Sequence, residues 1–263
     1  MDTIVLNTAN SKTKEPHKYV YNLTNTMKLD DHYICLSNLS MYYTWKNIRA
    51  EYGNNILIYY IPDPDNPIPG LNPDTLISNG ENRKPANGKF VWVTLPDGSY
   101  SIKDINNYLH MKMIAEKDGT NEDFPISIYP NTVYNRVSIV LKSGFQLILS
   151  RGMANVLGFS NQLITNTSTG DLVPQIERVE VVMVHCNMAQ NNFTQDSSLI
   201  YSFVPNSAYG TQLHQRPRFP IWRQARKTSE RSIDIWFTDQ LYRPLEIEDN
   251  ILVEIQLAPK SFI

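Results

Sequence analysis

Residues 179–257 constrain the fold more than any other part of this chain. Segments with strand character alternate there with polar turns, and none shows helical periodicity. In 233–237 and 251–257, apolar side chains occupy every second position, and the polar residues Asp234, Glu254 and Gln256 lie between them. This alternation gives a strand one buried and one wetter face. Such strands joined by polar turns predict a β-sandwich, and we expect an all-β protein.

Composition and charge narrow the classes of function. The chain has 263 residues, of which 41% are hydrophobic and 19% charged, as is typical of a globular protein. Its formal net charge of −2 gives no strong field, so nucleic acid is not expected as the main partner. No apolar segment approaches the roughly 18 residues that a membrane span requires, so no membrane contact is expected.

The two cysteines, Cys35 and Cys186, lie in separate predicted strands. Two thiols do not make a disulfide framework, and we expect two buried free thiols that pack as small apolar groups. Free thiols indicate a reducing compartment such as the cytosol or nucleus. The first residues show no basic segment followed by an apolar run, so no secretory signal is expected.

Turn residues and changes in composition divide the chain into several parts. Residues 1–17 are polar and predict a flexible or strand-swapping arm. Residues 18–96 and 161–263 are expected to form the sandwich, within which the Pro-, Asn- and Gly-rich segment 62–88 predicts a long surface loop. Residues 97–160 have the pattern helix–strand–strand–helix, which predicts a small α+β insertion domain.

Three local features inside these parts are specific enough to test. Ser101 and Asp104 approximate a capping box at the start of a helix that a turn at 118–119 ends. Residues 133–141 and 145–149 alternate around a turn and predict a β-hairpin. In the strand predicted from residue 33, Leu36 and Leu39 can share a face only if a bulge lies near Ser37.

A search for reactive chemistry finds little. No two histidines have the i, i+2 or i, i+4 spacing of a metal pair. The sequence also lacks the GxSxG motif of hydrolases, the glycine-rich loop of nucleotide-binding proteins and the HExxH motif of metalloproteases. We interpret His185 as a satisfied strand histidine rather than a ligand. The carboxylates considered for calcium are interpreted as solvated turn residues; they are Asp63, Asp65, Glu246, Glu248 and Asp249. We therefore predict no catalytic residue, no metal site, no cofactor and no enzyme activity.

Residues 214–231, which we call the basic segment, are the most unusual charge feature. Basic residues alternate there with aromatic ones. This mixture can hold phosphates and stack bases, can anchor a subunit interface, or can form an ordinary solvated loop. The interface interpretation is favoured, and its candidate residues are Arg216, Arg218, Phe219, Trp222, Arg223 and Arg226.

Several longer segments together carry a resemblance to a known family. They are DGSYSIKDINNYL (97–109), GFQLILSRGMANVLGF (144–159), VEVVMVHCNMAQNNF (179–193), YSFVPN (201–206), IDIWFTDQLYRPLEIEDNILVEIQL (233–257) and the early YICLSNLSMYYTWKNI (33–48). In these segments the chain resembles the minor capsid, or penton, proteins of Polinton/Maverick elements, adintoviruses and virophages.

The resemblance implies a single jelly-roll β-sandwich with an insertion domain. It also implies a homopentamer at the vertices of an icosahedral capsid, with major capsid proteins as neighbours. The protein would then be found in the virion after assembly in the host cytoplasm or nucleus. The alternative is a jelly-roll carbohydrate- or receptor-binding module, whose exposed Tyr and Trp side chains would contact a glycan or a cell-surface receptor.

Overall fold

The computed structural model describes the chain except for residues 12, 16, 63–64, 66–71, 81–87, 121–122, 177–178, 193, 195 and 248–249, together with the side chains of 13–15. The described strands are β1 (Asp2–Asn7), β2 (Thr13–Glu15), β3 (Lys18–Lys28), β4 (His32–Tyr42), β5 (Ile56–Ile61), β6 (Lys89–Thr94), β7 (Ile126–Asn131), β8 (Arg136–Leu141), β9 (Gln146–Leu149), β10 (Leu163–Ile164), β11 (Ser168–Thr169), β12 (Val182–Cys186), β13 (Ala189–Gln190), β14 (Leu199–Phe203), β15 (Gln212–Gln215), β16 (Arg223–Ala225), β17 (Ser229–Thr238) and β18 (Leu252–Pro259). The described α-helices are α1 (Pro73–Asn79), α2 (Ile102–Ala115) and α3 (Arg151–Leu157). None of these described helices is long and apolar enough to cross a membrane.

The chain forms two compact units. The first contains Met1–Trp45 and Val179–Ile263, and the second contains Lys46–Arg178. The second unit is larger than the insertion expected at 97–160, because β5 pairs with β6 and β9 and neither β5 nor β6 pairs with a described strand of the first unit. The apolar sequences of β5 and β6 show that they are strands but not which sheet they join.

The first unit is a sandwich of two antiparallel sheets. One has the order β1–β18–β4, with β15 and β16 on the far edge of β4, and the other has the order β14–β12–β17–β3–β2. The sandwich has eight main strands if β15 and β16 are counted as halves of one strand. Numbered along the chain, these strands have the order 1–8–3–6 in one sheet and 2–7–4–5 in the other. This is the strand order of a jelly roll, and it confirms the predicted fold class.

The alternating faces of both sheets meet in one apolar core. In β17, Ile233, Ile235 and Phe237 are buried in this core, whereas Asp234 and Trp236 between them are half-buried on the other face. The strand β12 is buried along its whole length, as expected for a central strand covered on both sides. Both cysteines are buried and free, as predicted. Burial raises the pKa of Cys35 to about 11 and that of Cys186 to about 12.

The predicted bulge in β4 is confirmed. Its partner β18 pairs Glu254 with Asn38 and Ile255 with Leu36, so Ser37 has no opposite residue. The extra residue places Leu36 and Leu39 on the same face of the strand, and both are buried in the core.

The flexible arm expected over residues 1–17 is not what the structure shows. Its first part is the edge strand β1, which pairs with β18 from Asp2 opposite Leu257 to Asn7 opposite Leu252. Leu6 is buried in the core, and Ile4 packs against it. Half of the residues of β1 are polar, as is usual for an edge strand with one solvated face, so the composition of the segment resembles that of a flexible arm.

The second unit contains the sheets β10–β9–β5–β6 and β11–β8–β7, with α2 packed on β7. The capping box of Ser101 and Asp104 is present, and α2 ends at Ala115, just before the expected turn. The predicted hairpin of residues 133–149 is wrong, because β8 pairs with β7 and β11, whereas β9 pairs with β5 and β10. The local pattern was correct, but the choice of partner depends on residues far along the chain.

The loop predicted over residues 62–88 lies largely outside the described residues. Its described part contains a helix, α1, which the loop prediction missed. The Asn72 side chain accepts a hydrogen bond from the backbone N–H of Thr75, and Pro73 opens the helix. Leu76 is buried against aromatic side chains of β5 and β6. An Asn cap followed by Pro is a helix-start signal that the Pro-rich composition of the segment obscured.

Candidate assembly interface

The basic segment lies beside β4 and interrupts its neighbouring strand. β15 pairs with β4 as far as Gln215 opposite Leu39, and β16 resumes the pairing with Arg223 opposite Ile34. Residues 216–222 leave the sheet between these two positions. Pro217 and Pro220 have no backbone N–H with which to continue the ladder, which explains locally why the chain departs here.

This departure exposes most of the predicted interface residues. Arg216, Arg218 and Arg226 are exposed, and the Phe219 side chain is 71% exposed. The guanidinium carbon of Arg218 lies 5.5 Å from the ring centre of Phe219, within the range of a cation–π contact. Trp222 and Arg223 are instead half-buried. The six predicted interface residues therefore differ in exposure, although they lie in one segment.

The basic segment opposes the charge of the rest of the chain. It contains six basic residues and one acidic residue, a net charge of +5. Since the whole chain has a net charge of −2, the remaining residues carry −7. Among the described residues, no ion pair involves Arg216 or Arg218, whereas Arg226 interacts electrostatically with Asp196. The exposed guanidinium groups of Arg216 and Arg218 are thus available to acidic groups on another molecule.

A polar groove of about 480 Å³ runs between the basic segment and the sheet beneath it. Arg216 and Arg218 lie on one side, and Asn38 and Glu254 lie on the other, next to the bulge at Ser37. The groove contains both basic and acidic groups, so it matches a protein surface with mixed polar groups better than a polyanion such as nucleic acid.

His185 is a satisfied strand histidine, as predicted. It is fully buried, with Nε2 2.8 Å from Thr238 Oγ1 and Nδ1 3.1 Å from Ser198 Oγ and 3.3 Å from Asp196 Oδ2. Ser198 donates its hydroxyl to Asp196, so His185 carries its proton on Nδ1 and Thr238 donates to Nε2. The order carboxylate–imidazole–hydroxyl is that of a hydrolase triad, but here His185 and Thr238 are buried, whereas the Asp196 side chain is 36% exposed. Sequence spacing could not reveal it, because its members are up to 53 residues apart.

The other chemistry considered from the sequence is not brought together. Among the described residues, no group of three His, Cys, Asp or Glu side chains could hold a metal ion. Of the carboxylates considered for calcium, Asp63, Glu248 and Asp249 lie outside the described residues.

Comparison with known proteins finds structural similarity to solved chains. A solved structure described as the selenomethionine-labelled penton protein of mavirus aligns with 98% of this chain and 99% of its own. The two chains are 10% identical, with a TM-score of 0.48. No protein-family model matches the sequence, and no curated protein matches it.

Proposed function

We propose that this chain is a structural minor capsid protein of the penton kind. It forms homopentamers at the vertices of an icosahedral capsid and contacts the major capsid protein in the virion, after assembly in the host cytoplasm or nucleus. The observation that carries the proposal is a jelly roll whose sixth strand opens into a basic, aromatic and exposed segment. Jelly rolls are common in capsid proteins, and exposed Arg and aromatic side chains are typical anchors of protein interfaces.

The charge distribution supports association between copies of the chain. A patch of net charge +5 on a molecule whose remainder carries −7 favours a head-to-tail contact in which the basic segment meets an acidic face of the next copy. Head-to-tail contacts generate rings when the rotation between copies closes. Phe219 would supply the apolar anchor of this contact, and Arg216 and Arg218 its charged rim.

A second candidate contact is the free edge of β1. This strand is the last of its sheet among the described residues, and the Val5 side chain is 58% exposed. An unpaired strand edge is a ready surface for another chain.

The role we propose is structural and not catalytic. The His185 ring is fully buried and both of its nitrogens are engaged in hydrogen bonds, so the triad-like arrangement supports packing rather than nucleophilic attack.

The proposal is tested by reversing charge in the basic segment and measuring solution mass by light scattering after size exclusion. We expect the pair Arg216→Glu and Arg218→Glu to raise the concentration at which the oligomer dissociates by about tenfold or more. The matched control is the pair Lys103→Glu and Lys260→Glu, which makes the same charge change at exposed sites elsewhere. Equal masses for both pairs at every concentration would exclude the basic segment as the contact.

A further inference from the structure

A second concave surface lies on the jelly roll, on the outer face of the sheet β14–β12–β17–β3–β2. It encloses about 350 Å³, within the range of about 300 to 1,000 Å³ usual for small-molecule sites. Its lining is His17, Lys18, Asp196, Trp236, Thr238, Tyr242 and Pro244. Arg216, Arg218 and Phe219, which we propose for the assembly contact, do not line this pocket. Asp196 of the pocket interacts electrostatically with Arg226 of the basic segment.

The aromatic wall formed by Trp236 is held rigidly from behind. His185 stacks against it with ring centres 5.3 Å apart and planes at 7°. Hydrogen bonds to Thr238 and Ser198 fix the orientation of His185 itself. Since the imidazole is fully buried, it cannot move aside, and Trp236 presents a fixed surface to the pocket.

The second aromatic side chain of the lining, Tyr242, also contacts His185, with ring centres 6.2 Å apart, and has a strained backbone conformation. Tyr242 has φ = 60°, a left-handed value that bulky residues rarely adopt. The Asp239 carboxylate maintains the turn by accepting hydrogen bonds from the backbone N–H groups of Leu241 and Arg243 and from the guanidinium Nε of Arg243. Strain of this kind is concentrated at functional sites, where the surrounding structure fixes one geometry.

The polar groups of the pocket select a neutral ligand. Lys18 and Asp196 place one positive and one negative charge on its rim, so either a cation or an anion would meet a like charge. The Lys18 ammonium is paired with Asp234 over 3.3 Å and retains further hydrogens to donate, and the Asp196 carboxylate accepts hydrogen bonds. Because Thr238 donates its hydroxyl to His185, its oxygen lone pairs remain as acceptors. Donors and acceptors beside two aromatic side chains match a molecule with several hydroxyl groups and an apolar C–H face.

We propose that this pocket binds one neutral pyranose residue of a glycan. The sugar's C–H face packs against Trp236 and Tyr242, and its hydroxyls bond to Asp196, Lys18 and Thr238. The Lys18 ammonium lies 5.9 Å from the centre of the Trp236 ring, and it turns from the ring to a hydroxyl when the sugar enters. Glycan binding of this kind does not depend on the oligomeric state of the chain.

In the test, the purified full chain is titrated with the methyl glycosides of glucose, galactose, mannose and N-acetylglucosamine. Saturation-transfer NMR measures the binding. N-acetylneuraminic acid and choline are the charged comparisons. We expect saturable binding of at least one neutral glycoside, weakened tenfold or more by Tyr242→Ala and by Lys18→Ala. Tyr134→Ala and Lys103→Ala, at exposed sites of the second unit, are the matched controls and should leave the affinity unchanged.

Each remaining outcome overturns the proposal. Absence of binding by all four glycosides, or binding that the two pocket variants leave unchanged, excludes a sugar site here. Tighter binding of N-acetylneuraminic acid or choline than of any neutral glycoside excludes the neutral assignment. Circular dichroism of each variant verifies that a loss of binding does not reflect unfolding.

Discussion

Ser37 donates its hydroxyl to the backbone carbonyl oxygen of Glu254 over 3.1 Å, at the point where β4 has one residue more than β18. The bond fixes the register on both sides of the bulge. Leu36 and Leu39 can therefore both lie in the core, although their separation in sequence would place them on opposite faces of a regular strand.

Removing the bulged residue should cost little, whereas removing a regularly paired residue of β4 should be far more damaging. We expect Ser37→Ala to lower the free energy of unfolding by about 1 kcal/mol, the usual value of one hydrogen bond. Deletion of Ser37 leaves Leu36 and Leu39 two residues apart on the core face, so its cost should stay within about 2 kcal/mol. Deletion of Ser40 instead turns the buried Met41 to the other face, at a cost above about 4 kcal/mol. Urea denaturation of the three variants measures these values, and equal losses for the two deletions would contradict this account of the bulge.

The buried His185 should make the first unit sensitive to mild acid. Burial lowers its pKa below the ordinary value of 6.5, and the opposing effect of Asp196 is smaller. The unfolded chain therefore binds a proton more readily than the folded one. The contribution of His185 to stability is complete above the unfolded pKa and is lost as the pH falls through the folded pKa.

This pH dependence can be measured as the free energy of unfolding between pH 7.5 and 5. We expect the wild-type value to fall with pH and the His185→Gln variant to show a smaller slope. His110, in the second unit, also has a lowered pKa because of burial, so His110→Gln is the comparison for the second unit. A slope for unfolding of the first unit that is unchanged in His185→Gln would assign its acid sensitivity to other groups.

The capping box of α2 gives a prediction about the second unit. Ser101 accepts a hydrogen bond from the backbone N–H of Asp104, and the Asp104 carboxylate accepts one from the backbone N–H of Ser101. We expect Ser101→Ala to destabilise the unit by about 1 kcal/mol. Lys103→Ala, in the same turn and exposed, should change the stability by less than about 0.5 kcal/mol. Thermal unfolding of both variants checks the difference.

Two glycines of the second unit separate backbone strain from steric conflict. Gly144 and Gly158 both have left-handed backbones, with φ of 84° and 77°. A Cβ atom at Gly144 would meet nothing within 4 Å, whereas one at Gly158 would lie 2.4 Å from the carbonyl oxygen of Leu172. We expect Gly144→Ala to cost about 1 to 2 kcal/mol from strain alone, and Gly158→Ala to cost clearly more. Similar losses for both variants would show that the segment around Leu172 yields easily.

How far the sequence predicts the structure depends on the range of the interactions concerned. Alternation, the capping residues of α2 and the parity argument for Ser37 are local, and each prediction agrees with the structure. The partners of β8 and of β9, and the boundary of the second unit, depend on contacts between distant segments. For these features the structure differs from the prediction.

The same distinction holds for the surfaces that we propose to be functional. The basic segment is continuous in sequence, so its charge and aromatic content could be found without a structure. The pocket with Trp236 and Tyr242 also needs Lys18 and Asp196, which the fold of the sheet brings near them from distant parts of the chain. No spacing rule could identify such a set.

The central claim, a pentameric vertex protein, is tested most directly by the solution mass of the purified chain together with negative-stain images. The account predicts a particle of five chains of 30.3 kDa each, seen as a five-fold ring. A protein that remains monomeric at high concentration, even when its major capsid partner is added, would contradict it.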